Sequence, residues 1–402
     1  MRKTSTTALG LALCSAIAST SASTSAIADQ PAYTVNNLTD FDGTRNEGTS
    51  INDWGLISGF ASKAGTSDRH ATAWVFGHPY DLGTLGGPNS SVVWPVKNLL
   101  GRIVGIAQTA TPEMLGENWS CSFFFGADAT GYVCRGFVLD AGHMRALPTL
   151  GGENGFAAGA NNLGQITGWA ETAVHDPSCE GPGEGKSGQV LQFLPVIYGP
   201  GNGAIHALPL IPGDSSGAAT AINDRGQAVG ISGACDQAVG RYTGAHAVIW
   251  EHGTVTDIGK GKLTAPFWNT PMAINERGDV VGFAGDPSDA TGGLTHAFLW
   301  TRDGGMQLLD TAADDNSTAT GINAQRQVVG YFVASDGTLH GFIWDREHGL
   351  KDLNDLKQAS YTDVIAIAAD INDFGVISGR TANDPVTGAR KAFVATPSRA
   401  GH

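Results

Sequence analysis

The sequence predicts an all-β fold: a seven-bladed β-propeller of four-stranded antiparallel blades. That expectation rests on a motif, its spacing and the way the chain ends. The motif is an apolar residue, Asn, two variable positions, Gly, three mostly apolar positions and Gly, as in INERGDVVG at 274–282. Its final Gly falls at 59, 105, 168, 230, 282, 330 and 379, a period of 46 to 63 residues. A period of about 40–50 residues with room for four short strands is the signature of propeller blades. The mature chain opens in what reads as a second strand, YTVNNL at 33–38, and finishes in a lone first strand, KAFV at 391–394. The C-terminal strand is expected to pair with the N-terminal ones, closing the ring and leaving no sheet edge open. An eight-bladed ring and two smaller sandwiches are the competing architectures.

Taken in order, residues 1–28 read as a signal peptide. Arg2 and Lys3 precede an apolar stretch at 8–17, and Ala26-Ile27-Ala28 offers a small-x-small cleavage site before Asp29. Export, to the periplasm or beyond the cell, follows as the expected localisation. No later apolar run approaches the ~20 residues that span a bilayer, so membrane insertion is not expected. Residues 29–402 then form a single propeller domain. Each unit starts with an apolar strand, clearest in HAFLW at 296–300 and repeated at 246–250 and 340–344. A second strand follows, as in MQLL at 306–309, and then the Asn-to-Gly hairpin. In that hairpin a type I turn leads into a left-handed residue, which favours the first Gly. One copy, at 323–330, carries Arg326 in that place. Gly reaches 56 of 402 residues, roughly twice the usual ~7% share, as so many turns require.

Alternate connections of an antiparallel blade lie on opposite faces of the ring. The short hairpin turns occupy one face, and the long insertions 108–133, 170–189, 232–244 and 285–294 all fall on the other. Variable loops gathered on one face of a rigid scaffold are where function is expected. Four cysteines follow the leader, and an even number in an exported chain implies two disulfides with three possible pairings. Cys121 and Cys134 share one connection, while Cys179 and Cys235 lie in connections of neighbouring blades on one face. Those two bridges are therefore predicted.

The units resemble the HAF-repeat family of bacterial extracellular proteins. HAFLW at 296–300, LGTLGG at 82–87 and AINERGDVVG at 273–282 match its consensus, and the likeness covers nearly the whole mature chain. The resemblance implies a secreted repeat protein, and the family carries no agreed activity. Function has to be read from the loops.

A formal charge of −14 disfavours nucleic acid and anionic membranes and leaves cationic or neutral partners. In the first insertion, Trp119, Phe123, Phe124, Phe125 and Tyr132 are dense aromatics between two cysteines. They are suited either to stacking on sugar faces or to packing over a small core of their own. Trp94, Phe267 and Trp268 lie near strands entering hairpins and are candidates for the rim of the central funnel. The ligand-binding set is thus Trp94, Trp119, Phe124, Tyr132 and Trp268. Catalytic candidates are His175 and Asp176, with Glu180 and Glu184 beyond, and Asp370, which stands where other copies have Ala221, Ala273 and Gly321. Asp370 reads as an acid or base if it faces the axis, or as half of a local polar pair if it faces the blade interface. The recurrent His246, His296 and His340 read as structural. The acidic pairs Asp40/Asp42, Asp286/Asp289 and Asp314/Asp315 match no full calcium loop and read as turn formers. No metal or cofactor is expected, and nucleophile-elbow, phosphate-loop, zinc and dinucleotide motifs do not occur in the sequence. The leading expectation is a monomer that binds a carbohydrate or cell-surface polymer through the insertion face. A polysaccharide lyase or hydrolase with acid and base groups at the funnel mouth is the alternative.

Overall fold

The computed structural model describes residues 32–117, 121, 124–125, 131–179, 181, 188–200, 204–235, 245–259, 269–285, 294–309 and 316–398. They form seven four-stranded antiparallel sheets arranged as the blades of a propeller. Blades 1 to 6 take consecutive strands within residues 42–81, 86–146, 151–207, 216–257, 269–308 and 317–352. Blade 7 combines Ile365–Ile371, Ile377–Thr381 and Ala392–Pro397 with the N-terminal strand Tyr33–Asn37 at its outer edge. Tyr33 lies opposite Pro397 and Asn37 opposite Phe393, so the two ends of the chain are zipped into one sheet. The ring closes as the chain ends foretell.

The sequence unit and the blade are out of phase. Each HAFLW-type strand pairs with the hairpin that precedes it, not the one that follows. Phe298 lies opposite Gly282, and Phe342 opposite Gly330. The sequence unit therefore borrows two strands from each of two neighbouring blades. Long insertions separate many hairpins from their true partner strand, which hides the pairing from a reading by proximity.

Both glycines of the motif have a steric cause. The first takes positive φ in six copies, from 67° at Gly101 to 84° at Gly278, and Arg326 holds φ 62° in the seventh. The second faces a β-bulge in the innermost strand. A Cβ on Gly230, Gly282, Gly330 or Gly379 would stand 2.0 Å from the carbonyl oxygen of Ala218, Thr270, Thr318 or Ile367. Where the HAFLW-type strand carries Phe, its ring packs on the other flank of this glycine, as Phe342 packs on Gly330 and Phe393 on Gly379. Phe137, Phe298, Phe342 and Phe393 are fully buried. The core lies between blades, where each sheet packs face to face on the next.

The motif Asn holds its own turn and the neighbouring blade. Asn275 Oδ1 accepts from the N–H groups of Arg277 and Asp279, and its Nδ2 donates to Asn323 O at 3.1 Å. The same link runs from Asn52 to Asn98, Asn161 to Asn223, Asn223 to Asn275, Asn323 to Asn372 and Asn372 back to Asn52. Only Asn98 turns inward, donating to Arg102 O.

The strands reach further into the first two insertions than their sequence bounds allow. They run to Pro112 and His175, and the strand after the first insertion already starts at Tyr132. Cys121 is bonded to Cys134 and Cys179 to Cys235, the two bridges expected. The first pins an insertion to its own blade; the second ties the insertions of blades 3 and 4 together.

Candidate ligand cavity on the insertion face

A cavity of about 530 Å³ opens at the insertion end of the central channel and is lined from all seven blades. The sequence has a position for this lining. The residue after the second motif Gly is Phe60, Trp169, Ile231, Phe283, Tyr331 or Arg380 in six blades, and all six reach the cavity. Polar strand residues nearby are mostly engaged: Thr49, Thr220 and Thr320 each donate a hydroxyl to the next blade, at Val92 O, Pro271 O and Ala368 O.

The lining is two-sided. Blades 2 and 3, with the first insertion, build an aromatic wall. Trp94 meets Phe124 and Phe156 edge-on, with centroids 5.4 and 5.3 Å away, and Phe124 stacks on Phe156 at 5.1 Å. Blades 7 and 1 build a charged wall from Glu47, Arg69, Arg380 and Arg390. Arg380 Nε lies 3.2 Å and Arg390 Nη2 3.7 Å from Glu47 Oε2. Arg69 and Arg390 also sit over the ring of Phe60, with Cζ 4.9 and 5.6 Å from its centroid, and Arg69 is 5.8 Å from that of Phe125. Burial, then the neighbouring Arg390 and Arg45, pull the Arg69 guanidinium down to about 10.

Toward the hairpin face, Lys97 of blade 2 crosses the channel. Its ammonium donates to the carbonyls of Ile322 and Ile371 and lies 3.1 Å from Asp370 Oδ1. Asp370 is fully buried and also accepts from the N–H groups of Ile51 and Ile371. Burial outweighs these partners and holds its carboxyl above the usual range. Asp370 therefore faces a blade seam as half of an ion pair and is absent from the lining of the insertion-face cavity. A smaller depression of about 230 Å³ lies beyond it among the Asn turns. Several of its acids serve neighbouring turns: Asp224 accepts from Asn162 N, Glu276 from Asp224 N, and Asp53 from Asp373 N.

The remaining candidates separate. Trp94 and Phe124 line the cavity, whereas Tyr132 is 36% exposed at the start of its strand and outside the lining. Phe125 joins a buried cluster with both cysteines of the first bridge, so part of this loop packs over its own core. His175 is exposed at the end of Ile166–His175. Asp176 beside it is buried and engaged by Ser178 and Ser216. Burial opposes ionisation of Asp176, but these serine hydrogen bonds prevail and keep its carboxyl below the usual range. Asp176 lies near Cys179 and Cys235 in a grouping with metal-ligand spacing, but those sulfurs are joined to each other and offer no thiolate. His246 and His340 bond to Asp257 and Asp352 on the adjacent outer strand. Asp40 caps its own turn through Asp42 N. Trp119, Phe123, Glu180, Glu184, Phe267, Trp268, the pairs Asp286/Asp289 and Asp314/Asp315, and the leader 1–28 lie outside the described residues.

The arginine wall was not anticipated from the sequence. Its signal lies in the aligned repeats. Arg380 breaks a column of apolar residues, and Glu47 breaks the facing column of Phe156, Ala218, Thr270, Thr318 and Ile367.

No family model and no curated protein sequence matches this chain. Among solved structures, a protein from Xanthomonas campestris described as a gluconolactonase is similar at 10% identity with a TM-score of 0.27. The match covers 52% of this chain and 82% of that one. At that distance the likeness bears on neither ligand nor reaction.

Proposed function

We propose that the chain is an exported propeller of the HAF-repeat type that binds a carbohydrate or cell-surface polymer in the insertion-face cavity. The observation that carries this reading is the lining itself: an aromatic wall opposite fixed hydrogen-bonding groups, in a concavity of about 530 Å³. Sugar rings present C–H faces to aromatic side chains and polar edges to donors, and small-ligand sites pair those two features. Two disulfides fit an oxidising compartment. Among the described residues, no helix is long and apolar enough to cross a membrane.

Binding is favoured over cleavage by the state of the acid. Glu47 is the one carboxylate among the described lining residues, and it is committed to two arginines. Hydrolysis or elimination needs acid and base groups converging on one bond. A glycan-array screen of the mature protein, with every hit incubated and analysed for shortened products, tests both points. Retention of intact glycans is the expected result. Shortened products would replace the binding reading with an enzymatic one, and an array without hits would remove the carbohydrate reading.

A further inference from the structure

We propose that the cavity is built for an anionic sugar, one whose carboxylate or sulfate ester is received by Arg69 and Arg390 while the aromatic wall takes the apolar face of the ring. The inference rests on the carbohydrate reading and adds the ligand's charge. It departs from the overall charge of −14, which by itself favours cationic or neutral partners.

The placement of the two arginines is the first argument. They occupy one repeat position, the residue just before the HAF-type triplet, in adjacent blades 1 and 7. Register places Cys134, Phe193, Ala245, Thr295 and Leu339 there in the other five blades. Both guanidiniums converge on the ring of Phe60.

Unmet charge is the second. Arg69, Arg380 and Arg390 face a single carboxylate, Glu47, which the first of them does not reach. The Nε atoms of Arg69 and Arg390 are buried with no acceptor among the described residues, and Arg69 as a whole is only 9% exposed. A largely buried guanidinium without a carboxylate partner is costly, and an anion in the cavity offsets that cost by pairing with the charge. Carboxylates and sulfates match the planar guanidinium fork, which takes two oxygens at once. Phe60 and Phe125 hold Arg69 in place before any ligand arrives, so little ordering is needed on binding.

Calorimetric titration of the mature protein with an oligogalacturonate, its full methyl ester and a sulfated galactan oligosaccharide tests this. The oligogalacturonate should bind about tenfold more tightly than its neutral ester, the equivalent of one charge-assisted hydrogen bond. The advantage should shrink as salt is raised. Arg69→Gln and Arg390→Gln should shrink the ratio of acid to ester affinity toward one, and Arg69→Lys should recover part of it. Equal binding of the sulfated glycan would show that charge is read; preference for the carboxylate would show that shape is read as well. The wild-type comparison of acid and ester stands even if a variant misfolds. Ester bound as tightly as acid overturns the anionic inference and leaves carbohydrate binding intact. Benzoate bound in an Arg69-dependent way, with no glycan bound, would keep the anion site and remove the sugar. Binding of none of these probes overturns both.

Discussion

Arg326 holds a left-handed backbone that costs a non-glycine residue roughly 1–2 kcal/mol. Its fork closes on Asp279 at 2.7 and 2.9 Å, and Asp279 is the one acid at its own position among the seven repeats. The same logic recurs twice. Lys97 replaces the apolar residue before the motif Asn, Asp370 replaces a small one, and the two meet in the channel. Arg380 and Glu47, each the exception in its column, meet across the seam of blades 7 and 1. In these three pairs each residue that breaks the repeat has its partner in another blade. Asp370 was visible in the sequence as an oddity and as half of a polar pair at a blade interface, but its partner was not. The signal that decides it is Lys97, some 270 residues away, which only a ring brings near. Asp370→Ala would leave the Lys97 ammonium without its carboxylate and should lower unfolding stability by about 3 kcal/mol in a urea titration. Little change there would refute the pairing. Gly282→Ala puts a methyl group against Thr270 O and should cost about 2 kcal/mol or more by the same measurement.

Hairpins were the most legible elements, because Asn and Gly at fixed spacing state the turn directly. Strand partnership was less so, since each HAFLW-type strand pairs with the hairpin before it, often across a long insertion, with Phe rings facing glycines as at Phe298–Gly282 and Phe342–Gly330. The insertions were legible as a face and as two disulfides, but not in their anchoring. Glu117, in the first insertion, accepts from the N–H groups of Val190 and Leu191 and from Gln189 Nε2, which also reaches Glu171 in blade 3. Burial first, then the facing Glu171, raise the Glu117 carboxyl from 4.5 to about 7. The sign follows from the proton count. Between about pH 4.5 and 7 the folded chain keeps a proton that the unfolded chain has lost, so stability falls as pH rises through that window and levels off above it. The melting temperature at pH 5 should therefore exceed that at pH 8 by more in the parent protein than in Glu117→Gln. Identical pH dependence in the two proteins would refute this anchoring role.

Closure gives the ring its coherence. The Asn links run blade to blade, and the terminal strands of the chain meet in blade 7. Truncation after residue 390 removes the strand Ala392–Pro397 from the middle of that sheet and leaves Tyr33–Asn37 without a partner strand. It should lower the melting temperature by well over 10 °C or abolish cooperative melting, because many inter-blade contacts are lost at once. An unchanged melting curve would contradict closure by this strand. The propeller was legible because its repeats and its split unit are properties of the chain. The cavity's charge was not, because the arginines that form it are scattered from Arg69 to Arg390 and only the ring gathers them. Diffraction from crystals of residues 29–402 grown with the tightest binder among the glycans tested is the most direct test of the proposed site. Ligand density between Trp94 and the Arg69–Arg390 pair is the predicted result. Density confined to the Asn-turn depression on the opposite face, with the insertion-face cavity occupied only by solvent, would contradict it.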